Sequence, residues 1–278
     1  MPIPVTTALE ENAALAADKA VAVQRLPRYL LSSALAGAYV GIAVVLLLSV
    51  SAPLVAAGSG AAKLVQGAVF GIALTLVVFA GAELFTGNVM VMLQGWWRST
   101  TTLPRVLAVL VASLVGNIAG SIAFAGIVHA GGTTTGAVSK LVASITASKD
   151  ALSGPQLFWR AVLCNALVCL ALWMAARTRS DAAKLAVLWW ALLAFIASGF
   201  EHSIANATTF SLAALDGSIG WGALARNLAW TVPGNIVGGG VVIGIGYAWL
   251  GGGRVRPAAA QATAPAPAPV SEPAPAMS

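Results

Sequence analysis

The chain has 278 residues, of which 59% are hydrophobic and only 9% charged, and its formal net charge is +6. Long uncharged runs exclude a water-soluble globule and mark an all-α integral membrane protein. The positive balance is spread over loops without a dense basic cluster, which excludes a nucleic-acid partner.

Residues 1–28 lack an apolar core and include Glu10, Glu11 and Asp18, so they read as a cytoplasmic amphipathic segment and not as a cleavable signal. Thr7-Ala-Leu-Glu10 has the spacing of a capping box that would open a short surface helix; a frayed tail is the alternative. A channel domain over 29–250 follows. Its charge-poor windows run at about Tyr29–Ala62, Leu64–Trp97, Val106–Val128, Ala161–Ala176, Leu185–Leu215 and Asn227–Leu250, each suited to a membrane span. Six spans put both termini on one side. With the N-terminus in the cytoplasm, Lys19, Arg25, Arg28, Arg98, Arg105, Arg177, Arg179, Lys184, Arg254 and Arg256 lie inside. Lys63, Lys140, Lys149, Arg160 and Arg226 lie outside, and this bias favours that orientation.

The second and fifth windows are too long for one straight helix, and each holds a single carboxylate, Glu83 or Glu201, well inside. Broken helices 2 and 5 are therefore predicted, interrupted around Phe85-Thr86-Gly87-Asn88 and His202-Ser203-Ile204-Ala205-Asn206. Intramembrane backbone freed by a break is tolerated only inside protein or beside a watery cavity, so both should meet near a pore. Cys164 and Cys169, in the fourth span, read as small packing residues and not as a disulfide. Residues 251–278 are Ala/Pro-rich and read as a disordered cytoplasmic tail.

A motif recurs at a fixed offset. Gly81-Ala-Glu83 with Asn88 returns as Gly199-Phe-Glu201 with Asn206, and Gly116-Asn-Ile-Ala-Gly120 returns as Gly234-Asn-Ile-Val-Gly238; from Gly81 to Gly199 and from Gly116 to Gly234 the distance is 118 residues. The protein therefore reads as two homologous halves. Three spans per half is an odd number, so the halves form two inverted three-helix repeats. The G-x-x-x-G pairs within these motifs predict close helix packing.

His202 is the sharpest chemical candidate, an ionisable group inside an apolar span and hence a marker of an ion or proton path; a neutral, hydrogen-bonded histidine is the plain alternative. The equivalent positions of Glu83 and Glu201 argue for a shared structural job, accepting N–H groups released at the breaks. Phe70, Leu74, Phe85 and Phe195 lie near the breaks as packing or as a constriction. Asn117, Asn165 and Asn235 are interhelical glue or pore-lining donors. Two histidines, His129 and His202, with intramembrane carboxylates give no metal-ligand spacing, no cofactor is implied, and no hydrolase motif accompanies Glu201-His202-Ser203.

Four stretches resemble the formate/nitrite transporter family: Ala82-Glu-Leu-Phe-Thr-Gly-Asn88, Asn165-Ala-Leu-Val-Cys-Leu-Ala-Leu-Trp-Met174, Ala197-Ser-Gly-Phe-Glu-His-Ser-Ile-Ala-Asn206 and Gly234-Asn-Ile-Val-Gly-Gly239. Ala36-Gly-Ala-Tyr-Val-Gly41, Gly71-Ile-Ala-Leu-Thr-Leu76, Ala182-Ala-Lys184 and Trp189-Trp190 look most like its bacterial nitrite-channel branch. The resemblance implies an aquaporin-like homopentamer in the bacterial inner membrane, surrounded by lipid, with one substrate path per protomer. It implies that Thr86 faces His202, that Phe70, Leu74 and Phe85 form one apolar slit and Phe195 the other, that Asn165, Asn206 and Asn235 are polar positions around the pore, and that Lys149 draws anions into the outer vestibule.

The implied substrate is a small monovalent anion, nitrite first and formate or another monocarboxylate or hydrosulfide as the alternative, with protons exchanged at His202. Two apolar slits would block an anion and pass its neutral conjugate acid. Burial disfavours imidazolium, whereas an arriving anion favours it, so the ring would exchange a proton with the substrate. A neutral-solute pore for water or glycerol would carry paired Asn-Pro-Ala tripeptides, and none occurs.

Overall fold

The computed structural model describes residues 1–252; the expected tail, from residue 253 onward, lies outside the described residues. The regular elements among the described residues are all helical. A surface helix α1 (Val5–Ala22) precedes α2 (Leu26–Ala56), α3 (Ala62–Phe70), α4 (Ile72–Phe79), α5 (Phe85–Trp97) and α6 (Leu103–Ala130). The chain continues with α7 (Ala137–Asp150), α8 (Gly154–Ala176), α9 (Asp181–Ala197), α10 (Ser203–Leu215) and α11 (Trp221–Asn235), which runs on through a π-helical stretch (Ile236–Ile245) into α12 (Gly246–Leu250). Five of these stretches are long and apolar enough to cross a membrane: Leu26–Ala56, Ala62–Phe79, Leu103–Ala130, Gly154–Ala176 and Trp221–Leu250. The window expected at 185–215 is divided between α9 and the shorter α10.

Local sequence sets the starts. Pro27, Pro104 and Pro155 sit in the first turns of α2, α6 and α8, where a missing N–H costs no bond and the fixed φ already suits a helix. Ser153 and Gln156 close a reciprocal capping box on α8. The box expected at Thr7 and Glu10 does not form. α1 begins two residues before Thr7, behind Pro4, and no side chain caps it; its start is pinned from outside, by Ile3 N–H donating to the Arg177 carbonyl at 2.8 Å and Arg177 Nε returning a bond to the Ile3 carbonyl at 2.9 Å.

The same packing device is used twice. α2 lies against α6, and α8 lies against α11 and the π-helical stretch. Gly120 touches α2 so closely that a Cβ would collide with the Ala34 carbonyl, and Gly238 meets the Val162 carbonyl of α8 in the same way. Non-helical backbone separates α4 from α5 and α9 from α10. Each of these segments turns on a left-handed glycine, Gly81 at φ 75° and Gly199 at φ 70°, a conformation in which a side chain is strained. Phe70, Phe85, Phe195 and Trp173 are buried at the centre of the protomer, and Trp159, Trp190, Trp249 and Ile127 stand exposed on its flanks.

Candidate functional site

The non-helical segments need partners for their backbone, and asparagines supply them. Asn117 Oδ1 accepts the Phe85 N–H at 2.8 Å, and its Nδ2 donates to the carbonyls of Ser33 at 2.7 Å and Glu83 at 2.9 Å. At 118 residues' distance, Asn235 Oδ1 accepts the Ser203 N–H at 3.0 Å, and its Nδ2 donates to the carbonyls of Ala161 at 2.8 Å and Glu201 at 3.1 Å. The job expected of the glutamates thus falls to the amides, because a carboxylate has no N–H with which to satisfy a carbonyl.

The glutamates are spent on cations and amides. Glu83 accepts from Lys19 Nζ at 2.8 and 2.7 Å, Tyr29 at 3.0 Å and Asn88 at 2.9 Å. Glu201 accepts from Lys149 Nζ at 2.8 and 2.7 Å and from Asn206 at 2.6 Å. Lys19 comes from α1 and Lys149 from α7, so each half brings its own surface helix, lysine, glutamate and asparagine.

Two cavities approach each other through this frame. One, of about 560 Å³, is walled by Lys19, Glu83, Leu84 and Lys184. The other, of about 180 Å³, is walled by Lys63, Lys149, Asn206, Phe70, Phe195 and His202. Between them lies a chamber of about 10 Å³, with Leu74, Leu84, Phe70, Phe195 and His202 in its wall. That space holds about one water, so a fully hydrated ion does not fit. The Phe70 and Phe195 rings meet edge to face with centroids 5.7 Å apart, and the Phe195 ring stacks on His202 at 6.0 Å.

His202 caps α10: its Nδ1 accepts the Ala205 N–H at 3.1 Å. An accepting Nδ1 carries no hydrogen, so the neutral ring has its proton on Nε2, which faces Thr86 Oγ1 at 3.1 Å. Thr86 is held in turn through its carbonyl, which accepts from Asn165 Nδ2 at 3.1 Å and Cys169 Sγ at 3.2 Å.

Of the residues singled out in the sequence, Phe70, Leu74, Phe195 and His202 meet around the chamber, with Thr86 on the histidine, and Asn206 and Lys149 wall one cavity. Asn165 and Asn235 are fully buried, and their Nδ2 groups are spent on backbone carbonyls. Phe85 lines neither cavity nor the chamber, whereas its neighbour Leu84 lines both the chamber and the larger cavity. Leu84 and His202 are 118 residues apart, at the cap positions of α5 and α10 with nearly the same backbone (φ −93°, ψ 121° and φ −103°, ψ 115°). Sequence reasoning missed Leu84 and Lys19. The repeat offset pointed to Leu84, and only the three-dimensional docking of α1 reveals Lys19.

Residues 7–249 match the family described as Formate/nitrite transporter. The chain belongs to the formate/nitrite transporter family. Its relatives within that family include the nitrite transporter NirC of Salmonella typhimurium, 41% identical over 234 residues, which cover 82% of this chain and 85% of that protein. Among solved structures, an FNT family ion channel superposes with a TM-score of 0.83 at 38% identity, covering 88% of this chain and 99% of that one. A pentameric formate channel with formate bound superposes at 0.69 and 30% identity, covering 82% and 98%. Membership of the formate/nitrite transporter family assigns the chain to transporters and channels, consistent with its several apolar helices.

Proposed function

We propose that the protein is a bacterial inner-membrane path for small monovalent anions, with nitrite preferred, and that His202 assists passage by exchanging a proton with the substrate. The observation that carries this reading is one polar side chain, His202, in the otherwise apolar wall of a chamber that lies between two lysine-bearing cavities, with its Nε2 on Thr86. In the proposed cycle the imidazolium gives its proton to the anion, the neutral acid crosses the apolar constriction and ionises in the water beyond it, and the neutral ring is reprotonated from water on the entry side, so that one proton crosses with each anion. The charged ring has a hydrogen on Nδ1 and loses the Ala205 bond, so an anion in the chamber is what compensates that state.

The architecture we infer has six spans in two inverted three-helix repeats, aquaporin-like, in which α3–α5 and α9–α10 are the second and fifth spans, each interrupted before its last helix. Both termini lie in the cytoplasm and five copies assemble. Paired hydrogen bonds at a constant offset support the repeat reading, and the pentameric relative supports the assembly. Lys149 and Asn206 form the outer mouth, and Phe70, Leu74 and Phe195 form the constriction. The formate-bound relative favours formate as the second reading.

The test is nitrite uptake into proteoliposomes across external pH, with formate as competitor, for the wild type and His202→Phe. Proton exchange at His202 predicts that the variant still assembles but loses most of its flux or its pH dependence. Wild-type flux and pH profile in the variant would overturn the proton step, and formate uptake exceeding nitrite uptake would favour the second reading.

A further inference from the structure

We infer that Lys63, and not Lys149, supplies the uncompensated positive charge that draws anions to the mouth holding both lysines; this rests on the transport reading above. Lys63 thereby acts as a positioning residue for the substrate.

Both side chains wall the cavity of about 180 Å³. Lys149, however, is bound through Nζ to both oxygens of Glu201, which is only 2% exposed. An approaching ion meets that pair as a dipole, whose field decays faster with distance than that of a single charge. The neighbouring Asp150 is engaged by Arg226 at 3.4 Å, and the His202 tautomer that caps α10 is neutral. Lys63 is exposed, and among the described residues no carboxylate pairs with it.

Its place in the chain strengthens the assignment. Lys63 is the second residue of α3, where the positive end of the helix dipole disfavours a cation, and the first turn of α3 contains no acidic residue. Helix stability therefore does not explain a lysine there, whereas an anion path does: the side-chain charge and the helix terminus add their potentials at one mouth. The other mouth differs. Lys19 is paired with Glu83, and Lys184, in the first turn of α9, is paired with Asp181 at 3.0 Å. The free charge at the two cavities thus lies on one side.

The test is a charge series, Lys63→Arg, Lys63→Gln and Lys63→Glu, in the full chain reconstituted in liposomes. Initial nitrite flux is measured at sub-saturating anion while ionic strength is raised from about 10 mM to about 0.5 M, where screening shortens to a few ångströms. A unit charge about 10 Å from an ion in water changes its local concentration roughly twofold. The arginine variant should match the wild type, the glutamine variant should fall roughly twofold and the glutamate variant roughly fourfold at low salt, with all four converging at high salt. Glutamine and glutamate variants equal to the wild type at every salt concentration would overturn the inference, and so would a deficit that persists unchanged at high salt, which would mark a structural role. A wild type that conducts neither nitrite nor formate would instead overturn the transport reading.

Discussion

An asparagine side chain offers one acceptor oxygen and two donor hydrogens, and Asn117 and Asn235 commit all three to backbone that has left helical geometry. Neither asparagine side chain has a polar group to spare, so replacing one by leucine strands an N–H and two carbonyls where water does not reach. We expect Asn117→Leu or Asn235→Leu to cost about 2–4 kcal/mol, read as a lowered melting temperature of the detergent-solubilised protein. The aromatic rings are packed on every side but those that face the small chamber and the cavity of about 180 Å³. Phe70→Ala or Phe195→Ala should lower the melting temperature, as truncating a buried ring costs about 3–5 kcal/mol, and should also admit larger solutes, measured by liposome swelling; lost stability with unchanged exclusion would show the rings to be ordinary core. At this scale the sequence exposed the histidine, because an ionisable group in an apolar span is conspicuous and the repeat marked its neighbourhood. Lys19 was not legible, because one lysine in an amphipathic segment looks the same whether it meets solvent or a buried carboxylate. Leu84 was hidden among other leucines, and its role follows only from the backbone turn that aims it at the chamber.

Helix positions were largely legible from charge-poor windows, since membrane spans announce themselves by what they lack. Helix ends were not. The Thr7–Glu10 spacing suited a cap, but tertiary bonds from Ile3 to Arg177 and the rigid Pro4 set the start of α1 instead. Likewise the π-helical stretch at Ile236–Ile245 leaves no periodic trace in a run of glycines and aliphatics. Small residues divide into two groups that sequence cannot separate. Gly120 and Gly238 lie in direct contact with a facing backbone, whereas Gly126 has nothing within 4 Å of where a Cβ would stand. We therefore expect Gly120→Val and Gly238→Val to push α2 from α6 and α8 from the π-helical stretch and to abolish the folded protein, while Gly126→Ala leaves yield and melting temperature unchanged; size-exclusion profiles and thermal melts of the purified variants decide this.

The described chain has broad apolar flanks, on which Trp159, Trp190, Trp249 and Ile127 stand exposed. On the proposed reading five protomers share part of this surface, so native mass spectrometry from mild detergent should give a pentamer, and a stable monomer or dimer would contradict it. At a spacing of 118 residues the glutamate, the asparagines and the close-packed glycines stand in both halves of the chain. The cap positions of α5 and α10, at the same spacing, hold leucine and histidine on nearly the same backbone. The same turn thus carries an apolar side chain in one half and an ionisable one in the other, so on the proposed transport reading the character of the chamber at residues 84 and 202 is written in the side chain and not in the turn.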